Sequence, residues 1–489
     1  MFIMAHLQMN VLRSCTSVYS LYEALEDLPS GVDDMYNLTL EHIEGQSVGD
    51  ISIAHWVITW LLHSREPPSI ALICHVLSFS MEQLAINRTD LAPVGLILSS
   101  CQGLICLERT YSDDSCRPAK KHGNADWRSV TISSDDPLDL KLVEDNPSDY
   151  QLRFIHTFLR QFHICIAHSL TTVLTLDYTV QEYIKTSVNL RFIQDPHSLI
   201  SVTCVAFLAA YDREFQASNC FFTCRYFRLQ PLLGYSLRHW VGHARICQDA
   251  GVLHPCIHTY FSAYPKLLHS DASDKDARSN SVALDRSYSD IRRLPSLHIA
   301  VLHKLTEVID ARILPFEVDD DGDEGYTPFH FATLYRKPNS LQALIASYDG
   351  VNVRSIPRGD TVLHITVQKL TAHEARGRTL QILASSPAVD PNIPNSTTGV
   401  TSLMLATPAP SYKDYDAELA LSNDDTKLTL RILCSRVDLN LEVKYLQGHT
   451  AFWHACSMQG TASAFLSHYP DVDANVPDHD GVTPFMMAC

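Results

Sequence analysis

From residue 291 onward, the hydrophobic pattern returns at an interval of about 33 residues. Six segments follow a pattern close to T-P-L-H-x-A: residues 295–300 (PSLHIA), 327–332 (TPFHFA), 361–366 (TVLHIT), 401–406 (TSLMLA), 450–455 (TAFWHA) and 483–488 (TPFMMA). Their fourth positions are 32, 34, 40, 49 and 33 residues apart, which indicates two insertions. A fixed period of this size predicts a stack of similar units.

The residue types within each segment predict the start of a first helix. Thr at a helix start accepts a backbone N–H bond, and Pro at the first helical position loses no bond. Glycine two residues before the Thr tolerates a positive φ in the preceding turn. These glycines are Gly325, Gly359, Gly399, Gly448 and Gly481. Second helices are predicted around residues 341–345, 380–383, 428–433 and 464–466.

The repeat resembles that of ankyrin repeat proteins. The resemblance implies an α-solenoid that binds protein partners through its concave face and turn tips. Met404, Trp453 and Met486 stand where this family has His. The chain stops at Cys489 inside a first helix, so we expect a truncated last repeat.

The N-terminal pattern predicts helices followed by two short strands. Apolar positions between residues 53 and 62 have the helical period, and Ser69 is the expected N-cap of a helix over 70–79. A third helix is expected over 91–100. Short apolar runs at 104–107 and 173–176 predict strands. Three helices followed by two strands is the order of a winged-helix domain.

Several motifs in this half resemble fungal NACHT–ankyrin proteins, which belong to the STAND class of signalling ATPases. They are residues 24–36 (ALEDLPSGVDDMY), 55–61 (HWVITWL), 101–105 (CQGLI), 177–184 (DYTVQEYI) and 231–235 (PLLGY). The resemblance implies the winged-helix domain of the GPI inositol-deacylase type, which follows the nucleotide-binding domain in that family.

The expected fold class is mainly α: a winged-helix domain with a small β wing, a helical extension and an ankyrin-repeat α-solenoid. We expect residues 1–50 to be the helical remnant that follows a missing NACHT domain. Residues 51–250 form the winged-helix and helical region, with an irregular insertion at 109–170. Residues 251–290 are a linker, and the ankyrin repeats occupy 291–489.

Composition narrows the function classes. The 489 residues carry a net charge of −17, which disfavours nucleic acid and anionic membranes as partners. Hydrophobic residues make up 46% of the chain, enough for large cores. The 14 cysteines include no CxxC pair, and the pattern of the first ten residues leads us to expect no signal peptide. A reducing, cytoplasmic location is therefore expected, with the nucleus left open.

Two motifs have metal-ligand residue types. His239, His243 and Cys247 are spaced i, i+4, i+8, and a packed helix face is the favoured interpretation over a zinc site. The acidic run at 319–323 resembles a calcium loop, but Pro328 falls where a bidentate Glu is required, so a solvated turn is favoured. We expect no metal, no cofactor and no catalytic residue.

These observations favour a non-catalytic scaffold that binds a protein partner. The candidate partner-binding residues lie at turn tips and on one inner helix: Asp323, Glu324, Tyr326, Tyr335, Arg336, Lys337, Arg354, Arg358, Asp360, Tyr445, Gln447, Asp478 and His479. The alternative is the regulatory half of an ATP-driven STAND switch whose P-loop domain is absent. Winged-helix DNA binding is a third hypothesis, disfavoured because residues 69–79 contain no Lys or Arg.

The sequence predicts that the chain does not bind ATP. The chain contains no G-x-x-x-x-G-K-[ST] segment to hold a triphosphate, and Asp177 replaces the family's signature His with a group that repels phosphate. The purified chain should therefore neither bind nor hydrolyse ATP. Isothermal titration with ATP and Mg²⁺ should show no binding heat, and saturable binding would contradict the prediction.

Overall fold

The computed structural model describes the chain in two compact units, Met1–Cys247 and most of the chain from Gln248 onward. The described residues are 7–9, 11–12, 15–29, 31–80, 85–86, 91–109, 150–154, 182–184, 195–216, 231–251, 253–270, 291–318, 325–356, 358–369, 373–407, 423–445, 448–457 and 461–488. None of the helices in these residues is long and apolar enough to cross a membrane.

Unit 1 begins with a series of helices, some of which start at a serine cap. They are α1 (Val18–Glu26), α2 (Val32–Glu44), α3 (Val48–His63), α4 (Ile70–Leu77) and α5 (Val94–Ser100). Ser17, Ser47 and Ser69 each accept a backbone N–H from the first turn of α1, α3 and α4. The predicted Ser69 cap is confirmed. Its helix ends at Leu77, however, because Phe79–Ser80 forms strand β1 and pairs with β2 (Ala85–Ile86).

A β-hairpin follows these helices. Strand β3 (Ile105–Arg109) overlaps the first predicted wing strand and pairs in antiparallel register with β4 (Tyr150–Phe154), Leu107 opposite Leu152. The prediction of an irregular insertion over 109–170 is therefore wrong for residues 150–154. Both leucines are fully buried, so apolar pairing accounts for the strand. The second predicted wing strand, 173–176, lies outside the described residues.

Two longer helices complete unit 1. They are α6 (Pro196–Gln216) and α7 (Pro231–Asp249), the latter continuing past the end of the unit. Trp60 of α3 is fully buried against Tyr235 of α7, with ring centroids 5.1 Å apart. This core positions a group of histidines described below.

Unit 2 opens with regular structure where a linker over 251–290 is predicted. Helix α8 (Pro255–Ala263) leads into β5 (Lys266–Ser270), which pairs with β6 (Ile291–Pro295) in antiparallel register. Leu267 and Leu294 face each other in this pair and are fully buried. The linker prediction is wrong for these elements, because apolar residues at 257, 260 and 261 also bury a face of α8.

The remainder of unit 2 consists of successive helix pairs, as predicted. The first helices are α9 (Ser296–Leu302), α11 (Pro328–Leu334), α13 (Val362–Lys369), α15 (Ser402–Ala406), α17 (Ala451–Cys456) and α19 (Pro484–Ala488). The second helices are α10 (Thr306–Asp310), α12 (Pro338–Ser347), α14 (His373–Ser385), α16 (Asn423–Leu433) and α18 (Thr461–His468).

Equivalent helices of neighbouring pairs pack on one another. The first helices form one layer, in which α9, α11, α13, α15, α17 and α19 follow in chain order, and the second helices from α10 to α18 form another. The Leu or Phe of each of the first five motifs is buried between them: Leu297, Phe329, Leu363, Leu403 and Phe452. Each pair therefore buries its apolar surface against the next, which is the packing of a solenoid.

The turn glycines have the backbone conformation that the sequence predicts. Gly325, Gly359, Gly399, Gly448 and Gly481 all have positive φ, between 51° and 84°. Gly359 is also crowded: a Cβ on it would lie 2.8 Å from the backbone nitrogen of Ser396. Gly251 has nearly the same φ, +72° against +73°, but open space around its Cβ position.

Substituting these two glycines with Ala measures the energetic cost of backbone strain separately from the cost of crowding. Gly251→Ala should cost about 1 kcal/mol of stability, the penalty for an L-residue in the left-handed region. Gly359→Ala should cost about 1–3 kcal/mol more, because the added Cβ must displace the neighbouring turn. Equilibrium unfolding in urea measures the loss of stability in both variants. Equal losses would show that crowding at Gly359 adds no cost.

Candidate partner-binding surface

At the second and third junctions, the carbonyl before the motif Thr joins two repeats. The backbone N–H of Ser355 donates to Asp360 O at 2.8 Å, and that of Asn395 donates to Val400 O at 2.8 Å, so each carbonyl closes its own turn. The same oxygens accept a second bond from the preceding repeat. His330 Nε2 donates to Asp360 O at 3.1 Å, and His364 Nε2 donates to Val400 O at 2.9 Å. We call these oxygens the junction carbonyls.

The same bond occurs at the first junction. His298 Nε2 lies 2.9 Å from the carbonyl oxygen of Tyr326, the residue before Thr327. A carbonyl oxygen can only accept, so the imidazole donates at each of these junctions. The motif histidines therefore act as structural donors between repeats.

The motif threonines fix the tautomer of these histidines. The backbone N–H groups of Thr327 and Thr361 donate to Nδ1 of His330 and His364, at 3.1 and 3.2 Å. Nδ1 therefore carries no proton, and Nε2 carries the one that reaches the junction carbonyl. Burial lowers the pKa of His364, which keeps the ring neutral, as this double role requires.

Trp453 takes the place of histidine at the last junction. Its indole Nε1 donates to the carbonyl of Val482 at 3.3 Å, and the N–H of Asp478 closes the same turn at 3.0 Å. The motif lacks His here, but the bond to the junction carbonyl is still made because the indole ring also has an N–H. A pattern that requires His misses this equivalence, whereas the hydrogen-bonding capacity of Trp could have predicted it.

Met404 changes the fourth junction. Its thioether has no N–H or O–H to donate, and its sulfur instead accepts the N–H of Thr401 at 3.5 Å. The corresponding junction carbonyl, that of His449, closes its turn with the N–H of Tyr445 at 3.1 Å. The Thr407 hydroxyl lies 3.4 Å from Ala451 O of the next repeat, and its nearest acceptor is Met404 O at 3.0 Å in its own repeat.

A second contact connects successive turns at the position between Gly and Thr. Asp360 Oδ1 accepts the side-chain N–H of Asn395 at 2.6 Å, while Asn395 Oδ1 accepts two backbone N–H groups of its own turn. At the equivalent place, His449 Nε2 lies 3.2 Å from Asp478 Oδ2, and its ring stacks on Trp453 at 3.5 Å. These side chains hold the turns to one another.

Asparagines link the other end of the turns. Asn352 donates its amide to Ala388 O at 2.8 Å and accepts the N–H of Asp390 at 2.9 Å. One repeat later, Asn392 donates to Asp438 O at 2.8 Å and accepts the N–H of Asn440 at 2.7 Å. The turns are therefore bonded along the row, which presents a preformed surface.

The structure divides the predicted partner-binding residues by exposure. Arg354, Arg358 and His479 are exposed, and Tyr326, Tyr335 and Arg336 are half-buried. Lys337, Asp360, Tyr445 and Asp478 are buried, at most 9% exposed, so they have little surface to offer a partner. Asp360 and Asp478 are instead the contacts between turns described above. Asp323, Glu324 and Gln447 lie outside the described residues.

Two aliphatic residues of the third-repeat turn were missed. Ile356 is 64% exposed and Val353 is 39% exposed, and they flank Arg354. Ile356 lies over the preceding turn, where a Cβ on Gly325 would lie 2.8 Å from its own Cβ. The sequence could have identified Ile356, because it is an aliphatic residue between two arginines in a predicted turn.

Two histidines of unit 1, His197 and His243, form a hydrogen-bonded chain with Tyr235. Tyr235 Oη lies 2.9 Å from His243 Nε2 and accepts the N–H of Arg65 at 3.2 Å. His243 Nδ1 lies 2.8 Å from His197 Nδ1, so one ring donates to the other. Burial lowers the pKa of His243 to about 3, and both rings are neutral donors and acceptors at neutral pH.

This arrangement agrees with a packed helix face at residues 239–247. His239 contacts Glu66 Oε2 at 3.3 Å rather than a shared centre with His243. Within the part of the chain that the structure describes, no group of three or more His, Cys, Asp or Glu side chains is arranged to hold a metal ion. The acidic run at 319–323 lies outside that part.

Comparison with known proteins gives distant likenesses of fold. No family model matches the chain, and no curated protein matches it. The solved ankyrin repeat domain of Bcl-3, a member of the IkappaB protein family, is 20% identical over 50% of this chain and 92% of its own, with a TM-score of 0.33. The ankyrin repeat protein EF0377 is 20% identical over 39% of this chain and 89% of its own, with a TM-score of 0.29.

The helix pairs, glycine turns and donor-to-carbonyl bonds decide the architecture. Unit 2 contains an ankyrin-repeat solenoid. Its repeats run from α9 to α19, and the described turns after the second and fifth repeats carry the exposed residues named above.

A pair of substitutions at one motif position tests the junction bonds. His364→Leu should destabilise unit 2 by about 2–3 kcal/mol, because it leaves the Val400 carbonyl and the Thr361 N–H without this partner in a buried site. Met404→Leu, one repeat later, removes no junction bond and should cost less than about 1.5 kcal/mol. Urea unfolding compares them, and equal losses would show that the bond contributes little.

The free energy of unfolding should fall as the pH drops below the pKa of an unfolded histidine. Burial lowers the pKa of His243 and His454 to about 3 and also lowers that of His364. The unfolded rings titrate near pH 6.5, so stability is complete above that pH and falls below it, by up to about 1.4 kcal/mol per histidine per pH unit. Urea unfolding at pH 7.5, 6.5 and 5.5 measures this. An unfolding free energy that stays constant or rises would contradict it.

Proposed function

We propose that the chain is a non-catalytic scaffold that binds a protein partner through its ankyrin repeats. The single observation that carries this proposal is the row of turns bonded to one another while Arg354, Ile356, Arg358 and His479 stay exposed. A surface that is already ordered loses little conformational entropy on binding. The polar groups within the row are used internally, which leaves the exposed tips as the recognition elements.

The N-terminal half fits a relay module in this proposal. Helices α3 and α4, the short β1–β2 pair, helix α5 and the β3–β4 hairpin follow one another in an order close to that of a winged-helix domain. Together with the sequence motifs, this order supports a relation to NACHT–ankyrin signalling proteins. The scaffold would then act inside the cell without a nucleotide, nucleic acid or membrane partner.

The alternative proposal is the regulatory half of an ATP-driven STAND switch. It is favoured by the same N-terminal motifs, because in that family a solenoid senses the partner and the winged helix transmits the signal. Upstream genomic sequence separates the two: an in-frame P-loop would support the switch, and its lack would support an independent scaffold.

Cross-linking tests where a partner binds. The tagged full-length chain is captured from its native cells, cross-linked, and analysed by mass spectrometry alongside a chain that lacks residues 290–489. The proposal predicts cross-links from the partner to the repeats and loss of capture in the shortened chain. Capture that survives the removal, with cross-links confined to unit 1, would contradict it.

A further inference from the structure

We propose that the turn of the third repeat binds an extended acidic peptide that places an aliphatic side chain between carboxylates. The inference rests on the proposed function, because it names the partner class for the same surface. Four exposed residues carry it: Val353, Arg354, Ile356 and Arg358. We call them the cationic tip.

The apolar part of the cationic tip gives it an anchor. Ile356 is 64% exposed and Val353 is 39% exposed, so both offer aliphatic surface to a partner. Ile356 is seated against the backbone at Gly325, and its own carbonyl and amide lie within 3.3 Å of the position of a Cβ there. A side chain held in this way can cover an aliphatic residue of a peptide with little further loss of freedom.

The charged part of the cationic tip is held by the next repeat. Arg354 Nε donates to the carbonyl of Pro394 at 3.0 Å, which fixes the direction of the guanidinium. The backbone at Arg358 is fixed as well, since its carbonyl accepts the Asn395 amide at 2.7 Å and the Thr397 hydroxyl at 3.1 Å. The oriented guanidinium of Arg354 and the guanidinium on the fixed backbone of Arg358 lie on either side of Ile356 in the turn, and a guanidinium fits a carboxylate better than a lysine does.

Charge makes this tip distinct from its described neighbours. The next turn exposes Ser396 and Thr397, and the last exposes His479 and Asp480. The chain as a whole has a net charge of −17, so two arginines on one tip are a local reversal of sign. The net negative charge of the chain repels acidic segments overall, and the two arginines attract them to this tip, which gives direction to the encounter.

Peptide selection on the full-length chain tests the inference. A random 12-residue phage library is selected against the wild-type chain, and the enriched peptides are synthesised and their affinities measured. We expect enrichment of Asp and Glu around Leu, Ile or Val. Raising the salt concentration should weaken binding, because exposed charges are screened.

Variants then locate the binding. Arg354→Glu with Arg358→Glu should weaken the selected peptides at least tenfold, and Ile356→Ser should weaken them several-fold. The control is Lys444→Glu, which also removes an exposed cation that bonds to the next turn, through Pro477 O at 3.0 Å. The control should change affinity by less than about twofold, and circular dichroism melting shows whether each variant is folded.

The outcomes separate this inference from the proposed function. Peptides without acidic enrichment, an unchanged affinity in the double arginine variant, or no enriched peptide would each overturn the acidic-peptide inference. The scaffold proposal would still stand if cross-links from the native partner map to the repeats, and it fails only if they do not.

Discussion

The bond from a motif side chain to the junction carbonyl of the next repeat is the contact on which the solenoid depends. The carbonyl oxygens of Asp360, Val400 and Val482 each accept one bond from their own turn and another from the preceding repeat, as Val400 O does with Asn395 and His364. The same atom therefore shapes a turn and joins it to its neighbour. Because each repeat contacts only the adjacent ones, the stack is only as continuous as these junctions.

This constraint explains why so many polar side chains of the turns are buried. Asp360, Asn395, His449 and Asp478 are each at most 9% exposed, and they bond across or within the turns. A buried polar group must find such a partner or lose stability. The residues left for recognition are those that the junctions do not use, and they include aliphatic as well as charged side chains.

Much of the solenoid could be predicted, because its residues have local causes. Thr450 caps α17 by accepting the N–H of Trp453, and Gly359 needs its positive φ whatever lies elsewhere in the chain. The pairing of β4 with β3 was missed because strand partners depend on contacts far along the chain. The burial of Asp360 was missed for the same reason: its partner, Asn395, belongs to the next repeat.

Amide hydrogen exchange at the turns tests the central claim most directly, because the junctions differ in one bond. The N–H groups of Ser355, Asn395 and Tyr445 all donate to junction carbonyls, at 2.8, 2.8 and 3.1 Å. The first two carbonyls also accept from His330 and His364, whereas Met404 has no donor for the third. Ser355 and Asn395 should therefore exchange more slowly than Tyr445 in the full-length chain. Equal rates, or slower exchange at Tyr445, would contradict the account.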